Sequence, residues 1–384
     1  MISGFRSGSR LAVVAALSLV LAACSLPRVI EAARVLGDIV AGEEPSSLKD
    51  RTPTPERVPI AYRVDGRAYG GDLYRPGNRT EGAIILVPGV ARAGKDDRRL
   101  VAFANTLARA RFAVLVPDMQ GLKALKVRAA DVREIAHAVA YFAELSAAAG
   151  HDRIGLVAVS YAVGPAILAA LEPDVRDRMG FVVGIGGYWD LEAVVTYFTT
   201  GHYRERPDGP WRRAQPNAYG KWVFVLSNAE RLESAADRAI LDRMARLKFD
   251  DPDADIAKLA ARLGPEGRSV YALLDNADPE RVPALLAALP VGVKAEFAAL
   301  NLKGRDVSRL SAQLILIHGR DDTIIPYTES VALAAALPKE RAELYLVGSL
   351  AHVDLGPAGL IDTFTLWRAV YRLLEQRSPA RPAG

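Results

Sequence analysis

The sequence predicts an α/β chain with a mostly parallel, doubly wound sheet that is interrupted by one long, mainly helical insertion. Short apolar runs of strand length alternate with helical stretches from about residue 60 onward. Three of those runs end in residues with reactive side chains, which is where a parallel sheet flanked by helices presents its chemistry. The alternation stops between about Asp190 and Ser311, a segment too long to be a loop.

At the N-terminus, Arg6 and Arg10 precede an apolar stretch from Leu11 to Ala22 that is too short for a stable spanning helix and is built like a secretory signal. It ends in Leu21-Ala22-Ala23-Cys24, which resembles the lipobox of bacterial lipoproteins. That resemblance implies removal of residues 1–23 and lipidation of Cys24. Several acyl chains would anchor the protein firmly, at ~0.8 kcal/mol for each buried methylene. Ser25 follows, with no aspartate to favour the inner membrane, so the expected location is the periplasmic face of the outer membrane. Cys24 is the only cysteine, which excludes an internal disulfide and a thiolate metal cluster.

The stretch 24–58 comprises this residue, a helix with apolar Val29, Ala32, Ala33, Leu36 and Val40, and a Pro-, Ser- and Glu-rich linker from Gly42 to Glu56. The helix, which could lie on the membrane face or pack on the domain, is expected to be a short tether rather than a membrane-binding element, and the linker to set the domain off from the bilayer. A hairpin follows, Ile60 to Val64 and Ala68 to Tyr74 around an Asp65-Gly66 turn. Strands are expected at Ala83–Val87, Phe112–Val116, Ile154–Val159, Phe181–Ile185, Leu314–His318 and Leu344–Val347. Helices are expected at Asp97–Arg109, Ala129–Ala148, after Ser160, and at about Ile361–Gln376. The core is thus expected at 59–190 and 311–376, the cap at 191–310, with a disordered tail at 377–384.

Ser160 ends the run Ile154 to Val159 and opens a small-residue helix, Tyr161-Ala162-Val163-Gly164-Pro165-Ala166. Downstream, Leu314–His318 opens into Gly319-Arg320-Asp321-Asp322, and Leu344–Val347 into Gly348-Ser349-Leu350-Ala351-His352. The order serine, acid, histidine on successive strand ends resembles the α/β-hydrolase family over roughly residues 60 to 375. The family's Gly-x-Ser-x-Gly reads Ala158-Val159-Ser160-Tyr161-Ala162 here, with alanine replacing both glycines. Glycine is favoured there because the serine backbone is strained and the following helix passes close to the strand.

The resemblance implies a catalytic triad. Ser160 is the nucleophile, His352 the general base, and Asp322, three residues after Gly319 and closed by Pro326, the acid that holds the imidazole tautomer. Asp321 is left to the turn, and His318 to orienting the acid loop. Asp190, after Phe181–Ile185, is the rival acid. The oxyanion hole is expected from the backbone N–H of Tyr161 and of Val90, with Ala91 the alternative, in Val87-Pro88-Gly89-Val90, where Pro88 stands in the place of the family's histidine.

Within the cap, Trp189, Tyr197 and Phe198 lead an aromatic-rich segment holding three of the chain's four tryptophans. They are candidates for an apolar substrate-pocket wall or for the cap's own core. Formal net charge is +4, from 49 basic and 45 acidic residues. Loss of Arg6 and Arg10 with the signal leaves 47 against 45, or +2, with basic residues scattered among acids as on solvated helix faces, so no nucleic-acid binder is implied. No phosphate-cradling glycine loop or metal-ligand spacing is visible, and no cofactor or metal is expected. The implied activity is hydrolysis of a carboxylic ester or an amide through an acyl-enzyme on Ser160. A peptidase, thioesterase or acyltransferase would use the same residues. A non-catalytic envelope lipoprotein that keeps the fold is the reading from another class.

Overall fold

The computed structural model describes residues 26–348, 350 and 359–377. Its centre is an eight-stranded sheet in the order β1-β2-β4-β3-β5-β6-β9-β10. These strands are β1 (Glu56–Val64), β2 (Arg67–Arg75), β3 (Gly82–Val87), β4 (Phe112–Pro117), β5 (Ile154–Val159), β6 (Met179–Ile185), β9 (Gln313–Gly319) and β10 (Ala342–Val347). β2 runs antiparallel to both β1 and β4, and the other pairings are parallel. The β1–β2 turn forms because Asp65 and Gly66 both take left-handed backbone, φ 50° and 75°, the geometry a two-residue hairpin loop requires.

Successive strand residues point to opposite faces, so the continuous apolar runs feed two cores. Ile85, Val87, Leu156 and Ala158 face one layer with helices α4 (Ala130–Ala148), α5 (Val163–Leu171) and α13 (Thr328–Ala335). Ile84, Leu86, Val157 and Ile315 face the other, with α1 (residues 26–41), α2 (Arg98–Arg109) and α14 (Leu360–Glu375). A four-residue helix, α3 (Gln120–Lys123), follows β4.

The N-terminal helix is a packed element rather than a free tether. Ala32, Val35 and Leu36 are buried in the second core, Trp367 donates from Nε1 to the Val29 carbonyl at 3.1 Å, and Asp38, 1% exposed, accepts from Thr106 at 2.7 Å and pairs with Lys49 at 2.9 Å. The following stretch, expected as a spacer, is held too: Leu48 is buried and Arg109 donates to the Thr52 carbonyl at 2.9 Å. The apolar spacing along α1 is therefore that of a core stripe. Strand β1 also starts three residues ahead of the expected core boundary at 59. Arg377, placed in the tail by the sequence, pairs with Glu31 at 2.7 Å. Residues 378–384 lie outside the described residues, as do 1–25 with the signal segment and Cys24.

Between β6 and β9 the cap is built from α6 (Leu191–Thr200), the short pair β7 (His202–Tyr203) and β8 (Arg212–Arg213), α7 (Tyr219–Asn228), α8 (Ala235–Asp250), α9 (Ala257–Ala260), α10 (Pro265–Leu274), α11 (Val282–Ala287) and α12 (Val291–Leu300). Helix α8 begins at Ala235 because the Ser234 hydroxyl caps it, accepting from the Asp237 amide at 3.2 Å. Polar ties fasten the cap to the core: Glu296 accepts from the Ala129 amide at 2.6 Å, and Ser227 accepts from the Val127 amide at 2.9 Å, while Arg231 pairs with Glu296 at 2.5 Å within the cap. Among the described residues, no single helix is long and apolar enough to cross a membrane.

Candidate active site

Strand β5 delivers Ser160 to the C-terminal edge of the sheet with φ 60°, a left-handed backbone that costs a non-glycine residue roughly 1–3 kcal/mol and is held only where the surroundings enforce it. The enforcing frame is fully buried: Ala158 and Ala162 are both 0% exposed and Ser160 is 6% exposed. Glycines on β6 and just after it make room for Val163, at the start of the helix that follows the serine. Ala158 pairs in register with Gly184, and a Cβ on Gly184 or Gly187 would sit 2.9 Å or 2.4 Å from Val163, the first residue of α5. The close helix approach that the elbow needs is instead carried by Gly164, where a Cβ would lie 2.0 Å from the Tyr188 hydroxyl.

The loop after β3 passes beside this elbow. A Cβ on Gly89 would stand 3.8 Å from the Ser160 Cβ and 3.6 Å from the Val159 carbonyl, so the chain leading into Val90 lies against the serine. Tyr161, the residue after the serine, is buried beneath the cap. Helix α7 touches both expected oxyanion residues: Tyr219 donates its hydroxyl to the Val90 carbonyl at 2.5 Å, and a Cβ on Gly220 would meet the Tyr161 hydroxyl at 2.9 Å. Nothing in the sequence around Tyr219 signals this role.

Past the end of β9, Asp322 is 4% exposed. Its Oδ1 accepts from the Ile324 and Ile325 amides at 2.8 Å and 2.9 Å, and Oδ2 lies 3.2 Å from Nε2 of His318. His318 is completely buried, with Nε2 also 3.0 Å from the Ile325 carbonyl and Nδ1 2.7 Å from the Ser330 hydroxyl. A neutral ring protonated at Nε2 satisfies all of these contacts, accepting the Ser330 proton at Nδ1. His318 thus locks the acid loop as a positioning residue. Asp321 turns the other way and accepts from the Leu350 amide at 3.2 Å, fixing the chain where it leaves β10. His352, two residues on, lies outside the described residues.

The rival acid occupies a structural post. Asp190 caps α6, accepting from the Glu192 amide at 3.1 Å, and pairs with Lys303 at 2.7 Å. Beside it, Glu329 on α13 is buried and accepts from the amides of Trp189 and Asp190 at 3.0 Å and 2.6 Å. Burial pushes its carboxyl up to about 7 despite these two donors.

The three aromatic candidates separate. Phe198 lines a small cavity of about 60 Å³ under the cap, together with Tyr161, Tyr188, Val223, Phe224 and Leu300. Tyr197 reaches the acid loop, donating its hydroxyl to the Asp322 carbonyl at 3.0 Å. Trp189 is outside the cavity lining, and its backbone is bound by Glu329 and Lys303. No group of three or more His, Cys, Asp or Glu side chains with metal-holding geometry occurs among the described residues.

No family model matches this sequence. Among solved structures, a presumed hydrolase from Legionella pneumophila superposes with a TM-score of 0.54 at 13% identity, covering 85% of this chain and 91% of that one. The acylaminoacyl peptidase of Pyrococcus horikoshii gives 0.47 at 11% identity, over 88% of this chain and 44% of its own. A 2,6-dihydroxy-pseudo-oxynicotine hydrolase gives 0.46 at 15%, over 87% and 72%. The chain thus spans under half the length of the peptidase. The sheet order, the strained serine after β5 and the Legionella superposition together establish that this chain has the α/β-hydrolase fold.

Proposed function

We propose that the protein is a serine hydrolase that cleaves a carboxylic ester and is held at a bacterial envelope membrane by lipid on Cys24. The observation that carries the activity is Ser160 in left-handed backbone at the tip of β5, on the same sheet edge as a buried, doubly amide-bound Asp322. A serine that decayed to a structural role would have no reason to retain that strain.

In this reading His352 accepts the Ser160 proton as Oγ attacks the ester carbonyl. The N–H groups of Tyr161 and Val90 receive the developing oxyanion, and collapse expels the alcohol, which takes the proton from His352. Water then repeats the cycle to release the acid. Asp322, braced by His318, stabilises the imidazolium that forms in each half. The cavity beside Tyr161 is lined mainly by aliphatic and aromatic side chains, which favours a small apolar acyl group over a charged one.

A fluorophosphonate probe tests the activity. Wild-type protein is expected to label on the peptide bearing Ser160, and the Ser160→Ala and His352→Ala variants are expected not to. A folded wild type that neither labels nor turns over short-chain aryl esters would replace this reading with a non-catalytic envelope lipoprotein.

A further inference from the structure

The first turn of α14 exposes three large apolar side chains in sequence proximity: Leu360 at 92%, Ile361 at 82% and Phe364 at 59%. These are not the helix's core face, because Leu366, Ala369, Val370, Leu373 and Leu374 supply that. Phe364 stacks on Trp367 with ring centroids 5.6 Å apart, and Trp367 hydrogen-bonds the Val29 carbonyl of α1. One turn before Val29, Leu26 is 58% exposed, and Ile30 beside it is 44% exposed. Arg28 lies over the Tyr371 ring at 5.9 Å. The two helices thus present one surface of aliphatic, tryptophan, tyrosine and arginine side chains, the composition suited to the boundary between headgroups and acyl chains.

We infer that this face, formed by Leu26 and Ile30 of α1 with Leu360, Ile361 and Phe364 of α14, rests on the lipid bilayer. The position of the chain's start selects that occupant: Leu26 follows Cys24 by two residues, so an acyl-bearing Cys24 leaves no slack to hold this end of α1 away from the membrane. The inference rests on the lipid-anchor reading for that choice of occupant. The contact orients the enzyme. Asp362 accepts from the Gly348 amide at 2.9 Å, which fixes the first turn of α14 beside the C-terminal end of β10, the edge that carries the candidate site. Docking there turns the site toward the bilayer surface.

The full chain, expressed in bacteria with its own N-terminus and reconstituted in phosphatidylcholine–phosphatidylglycerol vesicles with brominated acyl chains, tests this directly. Tryptophan emission should be quenched, and the quenched fraction should disappear in Trp367→Phe. It should also disappear in Leu360→Glu/Phe364→Glu, whose exposed positions leave the melting profile intact. The mass of the N-terminal peptide reports acylation of Cys24 separately. An acylated protein whose Trp367 emission ignores the brominated lipid overturns the docking face and leaves the anchor reading standing. Quenching without acylation keeps the docking face and removes the anchor. Absent quenching, with the glutamate pair converting a dimer to a monomer in light scattering, would make the face a self-interface and overturn the lipid assignment.

Discussion

Restoring the two glycines that the family pattern expects at the elbow should harm this protein. Ala158 and Ala162 are each fully buried, so each methyl is packed in the core around the elbow. Ala→Gly at either site removes one buried methyl, about 0.8 kcal/mol, and adds roughly 0.5–1 kcal/mol of backbone entropy to folding. The pair should therefore cost about 3 kcal/mol in urea denaturation, with fluorophosphonate labelling no faster than wild type. The counterpart is Gly164→Ala, which drives a methyl to 2.0 Å from the Tyr188 hydroxyl, a group that also donates to the Leu300 carbonyl at 3.0 Å. That overpacking should cost about 3 kcal/mol alone. The reasoning is refuted if Ala158→Gly/Ala162→Gly raises both the urea midpoint and the labelling rate, because the alanines would then be obstructing the elbow.

Asp322→Asn should abolish ester turnover, whereas Asp190→Asn should leave turnover near wild type, keep the helix cap, and lower stability by at most about 1 kcal/mol through loss of the Lys303 ion pair; the reverse pattern in steady-state rates would move the acid to β6. Tyr219→Phe removes the donor to the Val90 carbonyl, and loss of about 1 kcal/mol of positioning predicts kcat some fivefold lower with KM little changed. Glu329 sets a pH dependence of folding. Its carboxyl titrates higher in the folded chain, so its contribution is full below about 4.5 and is lost as pH rises through about 7, at most roughly 3 kcal/mol. In Glu329→Gln, which keeps an acceptor for both amides, urea midpoints at pH 5 and pH 8 should move together; a wild-type midpoint that does not fall over this range would contradict the assignment.

The sheet was legible because its signals are local. Each buried strand is an apolar run ended by Gly, Pro or, in β5, Ser160, and the helices on the core carry long periodic stretches, so the hairpin, the six strands after it and Asp97–Arg109 lie within a few residues of their expected places. The cap was legible only as helical. Its breaks depend on caps such as Ser234, which starts α8, and on Pro290, which stands between α11 and α12. The N-terminal helix misled for a related reason: an apolar stripe on a short helix reads the same whether it meets a membrane or a sheet, and only tertiary contacts, with Thr106 and with Trp367 more than 300 residues away, show which. At the site, motif spacing located Ser160 and Asp322. Spacing carried no trace of Tyr219 or Glu329, whose roles exist only through tertiary contacts 129 and 140 residues distant.

Those tertiary contacts bear on how a cap of this kind can work. Two elements expected to act on the substrate are each held by a cap residue: the Val90 loop by Tyr219, and the acid loop by Tyr197 through the Asp322 carbonyl. A rigid-body swing of α6 and α7 away from the sheet would break the two tyrosine hydrogen bonds and release both loops at once. Opening in that manner would therefore disassemble the proposed machinery it admits substrate to. Glu296 and Ser227 oppose the same motion from the far side, because each satisfies a core amide that would be left bare. The geometry favours entry past a cap that stays in place, with side-chain adjustment around the cavity at Phe198 and Phe224. On that account a bulky acyl group is excluded by the fixed distance between α7 and the elbow, and chain-length preference should respond to Phe198→Ala far more than to changes on the solvent-exposed faces of α8 and α9.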